Sequence, residues 1–218
     1  MKKEYFKNLE KTNKYNWDNQ LILKSRALKT FENLMGTFLN KKINKGDFLL
    51  DLGSANGALL EIAKSKGLKV KGLDIDQVNF ENEKINLENE SCDIITAVSL
   101  IEHMQNPSML LSEVKRLLKK DGCFIIVTPN WTLNYKNFFD DPTHKHPYSA
   151  RSLKYLLEMS GFNKIKVVPW LVCKPNWMWK IPFSFFLAKL IPFRGDASKW
   201  LPNILKGNTK TLLSICKK

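Results

Sequence analysis

A short apolar run that ends in an acid and breaks into a glycine turn, Asp51-Leu-Gly-Ser-Ala-Asn-Gly57, constrains this chain more than any other stretch. Residues 47–52 read as a buried strand closed by Gly53, and residues 58–66 resume helical periodicity until Gly67 ends it. Residues 68–73 alternate as a second strand. Strand, glycine turn, helix, strand is a βαβ unit, whose right-handed crossover builds a parallel sheet. The turn brings backbone N–H groups to the positive end of a helix, where a ligand can approach closely. Asp74 ends the second strand about twenty residues later, in position to accept hydrogen bonds from both hydroxyls of a ribose. A plain strand-to-helix connection would explain the glycines alone; the acid at this distance makes the pair a nucleoside site.

The rest of the chain extends the same pattern. Residues 17–40 carry apolar side chains at spacings of three and four, an amphipathic helix in an N-terminal extension of residues 1–45. Further strands are expected at 93–98, 123–128, 163–168 and 209–216, with helices at 107–119, begun by proline, and 150–159. Residues 77–91 show no clear helix and only a weak strand signal at 84–87. Residues 170–202 form an aromatic, basic and proline-interrupted insertion before the last strand. Without internal repeats or a low-complexity linker, residues 1–218 read as one domain.

A nicotinamide dinucleotide would favour G-x-G-x-x-G, but the corresponding positions here are Gly53, Ala55 and Ala58, and Asp51 would repel a diphosphate. A sulfonium or ammonium tolerates that carboxylate. The motifs Asp51-Leu-Gly-Ser-Ala-Asn-Gly57, Gly72-Leu-Asp-Ile-Asp76, Cys92-Asp-Ile-Ile-Thr-Ala-Val-Ser-Leu-Ile-Glu-His103 and Gly122-Cys-Phe-Ile-Ile-Val-Thr-Pro-Asn130 together resemble class I S-adenosylmethionine-dependent methyltransferases over roughly residues 47–169. The resemblance is nearest to the O-methyltransferases of quinone biosynthesis and glycan tailoring, which share the Glu-His pair found here as Glu102-His103. It implies a Rossmann-like α/β fold with a mostly parallel seven-stranded sheet, an antiparallel last strand and helices on both faces. It also implies S-adenosyl-L-methionine as cofactor. Asp51, Gly53, Ser54, Ala55, Asn56 and Gly57 would line its methionine part and Asp74 its ribose, with Ile75 and Ser99 in the same site; the adenine contact stays unassigned.

Methyl transfer is an in-line displacement, and a hydroxyl acceptor must also lose a proton. The three histidines, His103, His144 and His146, fall at or after the carboxyl ends of strands, where open α/β sheets place ligands. The Asp-Pro-Thr-His segment resembles a loop of glycan-associated family members. His144 is the expected base with Asp141 as its orienter, and His103 is a second candidate. No metal is expected, because His144 and His146 at i, i+2 lack a third ligand at suitable spacing.

Composition limits the partners. The surplus of 35 Lys and Arg over 21 Asp and Glu, a net charge of +14, suits anionic partners but also fits a lysine- and asparagine-rich compositional bias. The acceptor is expected to be a small molecule, a sugar or a lipid-linked compound. A nucleic-acid acceptor is the alternative; against it, Ser99-Leu-Ile-Glu-His stands where amino-methylating enzymes on bases carry Asn/Asp-Pro-Pro-Tyr/Phe. A non-catalytic scaffold at a membrane surface is the reading from another class. Trp177, Trp179, Phe183 and Phe186 would either roof the pocket as a lid or touch an anionic membrane. Scattered cysteines and a basic, polar start without an apolar core point to a cytoplasmic protein, peripheral at most to the inner membrane face.

Overall fold

The computed structural model describes residues 17–170, 193–194 and 206–218. Helix α1 (Trp17–Leu39) buries Ala27, Leu28, Phe31, Leu34, Met35 and Leu39, the three- and four-residue stripe legible in the sequence. That stripe packs on Leu49, Leu59, Ile94 and Ile125. Strand β1 (Phe48–Leu52), helix α2 (Ala58–Ser65) and strand β2 (Lys69–Leu73) form the expected βαβ unit, with β1 and β2 parallel. Strand β3 (Cys92–Val98), helix α3 (Ser108–Leu117) and strand β4 (Leu118–Pro129) repeat it. After the short helix α4 (Trp131–Asn134) come helix α5 (Ala150–Met159) and strand β5 (Asn163–Pro169). Strands β6 (Phe193–Arg194) and β7 (Lys206–Asn208) pair with each other, and β8 (Thr211–Lys217) returns to the main sheet.

The main sheet has the order β2-β1-β3-β4-β8-β5, and β8 runs antiparallel to both neighbours. Among the described residues it has six strands, where the sequence suggested seven. The difference lies in residues 77–91, which form turns and no strand. The reason is where their backbone groups bond. Ile85 gives its N–H to the Glu113 carboxylate at 2.8 Å, while Arg116 donates to the carbonyls of Ile85 and Leu87, both at 2.9 Å. Side chains of α3 therefore occupy the groups a strand would offer to β2. Phe80 and Ile85 are nonetheless buried in the core.

Helices cover both faces, α1 and α2 on one, α3 and α5 on the other. The period of two in β1 sends Leu50 and Leu52 to one face and Leu49 and Asp51 to the other. Of the cysteines, Cys92, Cys123 and Cys216 are free and buried; Cys173 lies outside the described residues. So do residues 1–16 and most of the aromatic insertion, including Trp177, Trp179, Phe183 and Phe186. No helix of the described residues is long and apolar enough to cross a membrane.

Candidate functional site

The first half of the site is a backbone construction at the carboxyl end of β1. The N–H of Gly53 and that of Ser54 both donate to the carbonyl of Leu73, at 2.8 and 3.3 Å, which ties the turn to the end of β2. The chain then passes through left-handed φ at Ala55 (48°) and Gly57 (75°) before α2 begins. Gly57 serves as N-cap without a side-chain bond, and a Cβ there would meet nothing within 4 Å, so the turn opens onto space at the positive end of the helix. Asn56 accepts from the Ala58 N–H at 3.2 Å. Gly72, beneath the turn, is a close approach that sequence reading did not single out: a Cβ on it would lie 2.5 Å from Ser54 Oγ and 2.6 Å from Leu60 Cδ1.

Asp74 is held from two sides. Its Oδ2 accepts from the Ala55 N–H at 2.8 Å and its Oδ1 from the Ile75 N–H at 2.7 Å, which leaves each oxygen a further lone pair for a ribose hydroxyl. Ile75 beside it is exposed. Asp51 is buried and accepts from Thr96 Oγ1 at 2.6 Å, a bond that follows from their register as neighbours on β1 and β3. Burial pushes its carboxyl up to about 6, against the opposing pull of Thr96 and of Lys24 on α1. Ser99, just after β3, has a left-handed φ of 53°, and its N–H donates to the carbonyl of Val127. The preformed turn, the open helix end and the doubly anchored Asp74 fit the nucleoside and amino-acid parts of S-adenosylmethionine.

The second half sits at the carboxyl ends of β3 and β4, where main-chain bonds fix the loop and side chains set its reactive groups. A single 3₁₀ turn (Ile101–His103) carries Glu102 and His103, and the carbonyl of Glu102 accepts from the N–H groups of Lys145 and His146 at 2.7 and 3.0 Å. Those bonds pin the histidine loop to β3. The Glu102 carboxyl is fully buried: Oε2 accepts from Thr128 Oγ1 at 2.9 Å, and Oε1 has no partner among the described residues. Burial drives this carboxyl up to about 7. The Tyr148 hydroxyl is likewise buried without a partner, and burial raises it with help from the charge of Glu102.

His103 and His144 stand with ring centroids 4.8 Å apart. Nδ1 of His144 donates to the carbonyl of Phe138 at 2.6 Å, so the neutral ring carries its lone pair on Nε2. Asp141 accepts twice on Oδ1, from Thr143 Oγ1 at 2.6 Å and from the Thr143 N–H at 2.9 Å. Its Oδ2 lies 3.9 Å from His144 Nε2. Partial burial works to raise the Asp141 carboxyl, but the Thr143 bonds and the two imidazoles outweigh it and hold it below its ordinary range. The expected Asp141–His144 partnership is therefore revised: the bond that orients His144 comes from a backbone carbonyl, and the carboxylate leans on Thr143. His146 stands apart, stacked on Tyr148 at 5.8 Å.

Donor atoms of Glu102, His103 and His144 come within 4.8 Å of one another, near enough to share a proton or a cation. Sequence reading sought a third donor for His144 and His146, whereas the fold sets Glu102 and His103, on the 3₁₀ turn after β3, beside His144. It also missed Trp131, Tyr135, Phe138 and Phe139, an edge-to-face cluster that packs Phe138 against His144 at 4.5 Å and leaves Tyr135 and Phe139 more than half exposed. Four aromatic residues within nine positions were the available signal.

Residues 25–167 match a family model described as a methyltransferase domain. The chain is 30% identical over 149 residues to a ubiquinone biosynthesis O-methyltransferase of Glaesserella parasuis, spanning 56% of this chain and 62% of that protein. It is 35% identical over 106 residues to a ribosomal protein L11 methyltransferase of Dictyoglomus turgidum, spanning 40% of this chain and 34% of that one. The chain thus covers less than two thirds of the length of these curated relatives. The crystal structure of a SAM-dependent methyltransferase from Archaeoglobus fulgidus shares its fold, with a TM-score of 0.58, 23% identity, and coverage of 91% of this chain and 94% of that one.

Proposed function

Because the chain belongs to the class I S-adenosylmethionine-dependent methyltransferases, we propose that it methylates a hydroxyl group of a small-molecule, sugar or lipid-linked acceptor. The observation that carries this reading is the pair of close imidazoles, His103 and His144, in the segments that follow β3 and β4, next in the sheet to the strand that carries the cofactor turn. A hydroxyl oxygen becomes a competent nucleophile as its proton is removed, and His144 offers Nε2 for that proton because Nδ1 is committed to Phe138. S-adenosylmethionine, when bound, supplies a methyl on a sulfonium centre whose sulfur leaves as a neutral thioether. The turn from Gly53 to Gly57 and the Asp74 carboxylate would hold its nucleoside and amino-acid portions. Exposed Tyr135 and Phe139 give the acceptor an apolar, aromatic wall beside His144. The O-methyltransferase among the relatives supports the choice of oxygen.

Two measurements test the reading. Calorimetric titration with S-adenosylmethionine and separately with NADH should show binding of the first alone, weakened about tenfold to hundredfold by Asp74→Ala through loss of charge-assisted hydrogen bonds. Transfer of tritiated methyl should then go to members of a panel of phenols, sugars and polyprenyl-linked sugars and leave RNA and DNA unlabelled. Label found only in nucleic acid or protein would displace the hydroxyl reading, and cofactor binding without transfer to any acceptor would favour a scaffold. The one-domain reading of residues 1–218 is supported by α1, which belongs to the core rather than to an appendage.

A further inference from the structure

The hydrogen bond at Nδ1 of His103 assigns the tautomer of the neutral ring. Thr143 Oγ1 lies 2.8 Å from His103 Nδ1 and 2.6 Å from Asp141 Oδ1. A hydroxyl carries one hydrogen, and Asp141, held below the ordinary carboxylate range, only accepts. Thr143 therefore donates to Asp141 and must accept from the other side, which puts the hydrogen of the neutral His103 ring on Nδ1 and its lone pair on Nε2. From this line of three groups we infer that Thr143 is a positioning residue, relaying the charge of Asp141 to His103 and fixing its ring as the Nδ1–H tautomer. Thr143 Oγ1 gives its hydrogen to Asp141 and accepts from His103, so it acts through the imidazole.

The consequence for proton handling rests on the hydroxyl-methylation reading. As the acceptor oxygen bonds to the methyl carbon, its proton passes to Nε2 of His144, and the positive charge forms in a ring whose centroid lies 4.8 Å from that of His103. Thr143 and Asp141, which keeps its charge throughout, hold the His103 ring in one orientation beside it. Each ring of the pair is thus held by a different support, His144 by the neutral carbonyl of Phe138 and His103 by a carboxylate one hydroxyl away.

The test is long-range proton–nitrogen NMR on protein with ¹⁵N-labelled imidazoles, at alkaline pH where the rings are neutral, with His103 assigned by its loss in His103→Asn. The wild type should show the Nδ1–H pattern. Thr143→Val retains the Thr143 backbone N–H that Asp141 binds but lacks the hydroxyl, so the pattern should be lost to a tautomer mixture; Thr143→Ser should restore it. An Nε2–H ring in the wild type, or a His103 spectrum unchanged in Thr143→Val, overturns the relay. If the valine variant does not fold, the wild-type and serine spectra decide. None of these readings needs an acceptor, so failure to find methyl transfer leaves the relay intact. With a hydroxyl acceptor in hand, turnover by Thr143→Val should fall about tenfold, the worth of one hydrogen bond, and serine should rescue it. Wild-type turnover by the valine variant would overturn the catalytic use of the relay.

Discussion

The two halves of the site are built by different means. The cofactor turn is fixed by main-chain groups within one βαβ unit: Gly53 and Ser54 bond to Leu73, and Ala55 and Ile75 bond to Asp74. The histidine half shares two main-chain bonds, from Lys145 and His146 to the carbonyl of Glu102, but its reactive groups are set by side chains drawn from residues 102 to 148, with Thr128, Thr143, Glu102 and Asp141 as fastening points. A backbone construction tolerates many side chains but few changes of chain path. A side-chain construction keeps its path and loses function one group at a time.

That contrast is sharpest at His144. Exchange to Asn should lower turnover of a hydroxyl acceptor by about 10²–10⁴-fold, the range for loss of a general base, with cofactor affinity unchanged by calorimetry. A parallel loss of affinity would mean that the halves are one unit. The next effect is on stability. Glu102 has a folded-state carboxyl raised to about 7 from an ordinary 4.5, so the folded protein holds a proton that the unfolded chain releases. Stability from this group is complete below about pH 4.5 and is lost as pH rises through about 7, on the order of 3 kcal/mol across the window. Glu102→Gln does not titrate there, so its thermal midpoint should gain on the wild type from pH 5 to pH 8 and level off above. Asp51, raised to about 6, remains in both proteins and cancels in the comparison. The smallest change strikes the backbone half: Gly72→Ala puts a methyl against Ser54 and Leu60, should cost about 1–3 kcal/mol of stability in urea unfolding, and should weaken cofactor binding while leaving the histidine tautomers untouched.

The same division explains what was legible in the sequence. The turn from Asp51 to Gly57, Asp74 and the parallel strands around them were readable because their determinants are local: an apolar run, glycines at fixed offsets, an acid at the end of the next strand. His103, His144 and Asp141 were readable as residue types in loops after strands, and the fold brings them close to one another. Their connections were not, because the Thr143 relay depends on which of two nearby rings a hydroxyl reaches. The count of seven strands missed for a similar reason. Residues 84–87 have weak strand character, and what holds them off the sheet is Glu113 and Arg116, nearly thirty residues later.

That clamp also sets how the segment behaves in time. Arg116 also binds Asn89 at 2.7 Å and its own neighbour Glu113 at 2.6 Å, so residues 85–89 are bonded to one turn of α3 rather than to the sheet. The Ile85 amide, although in a loop, should exchange with deuterium at the rate at which α3 opens, so that loop and helix form a single cooperative unit of local unfolding.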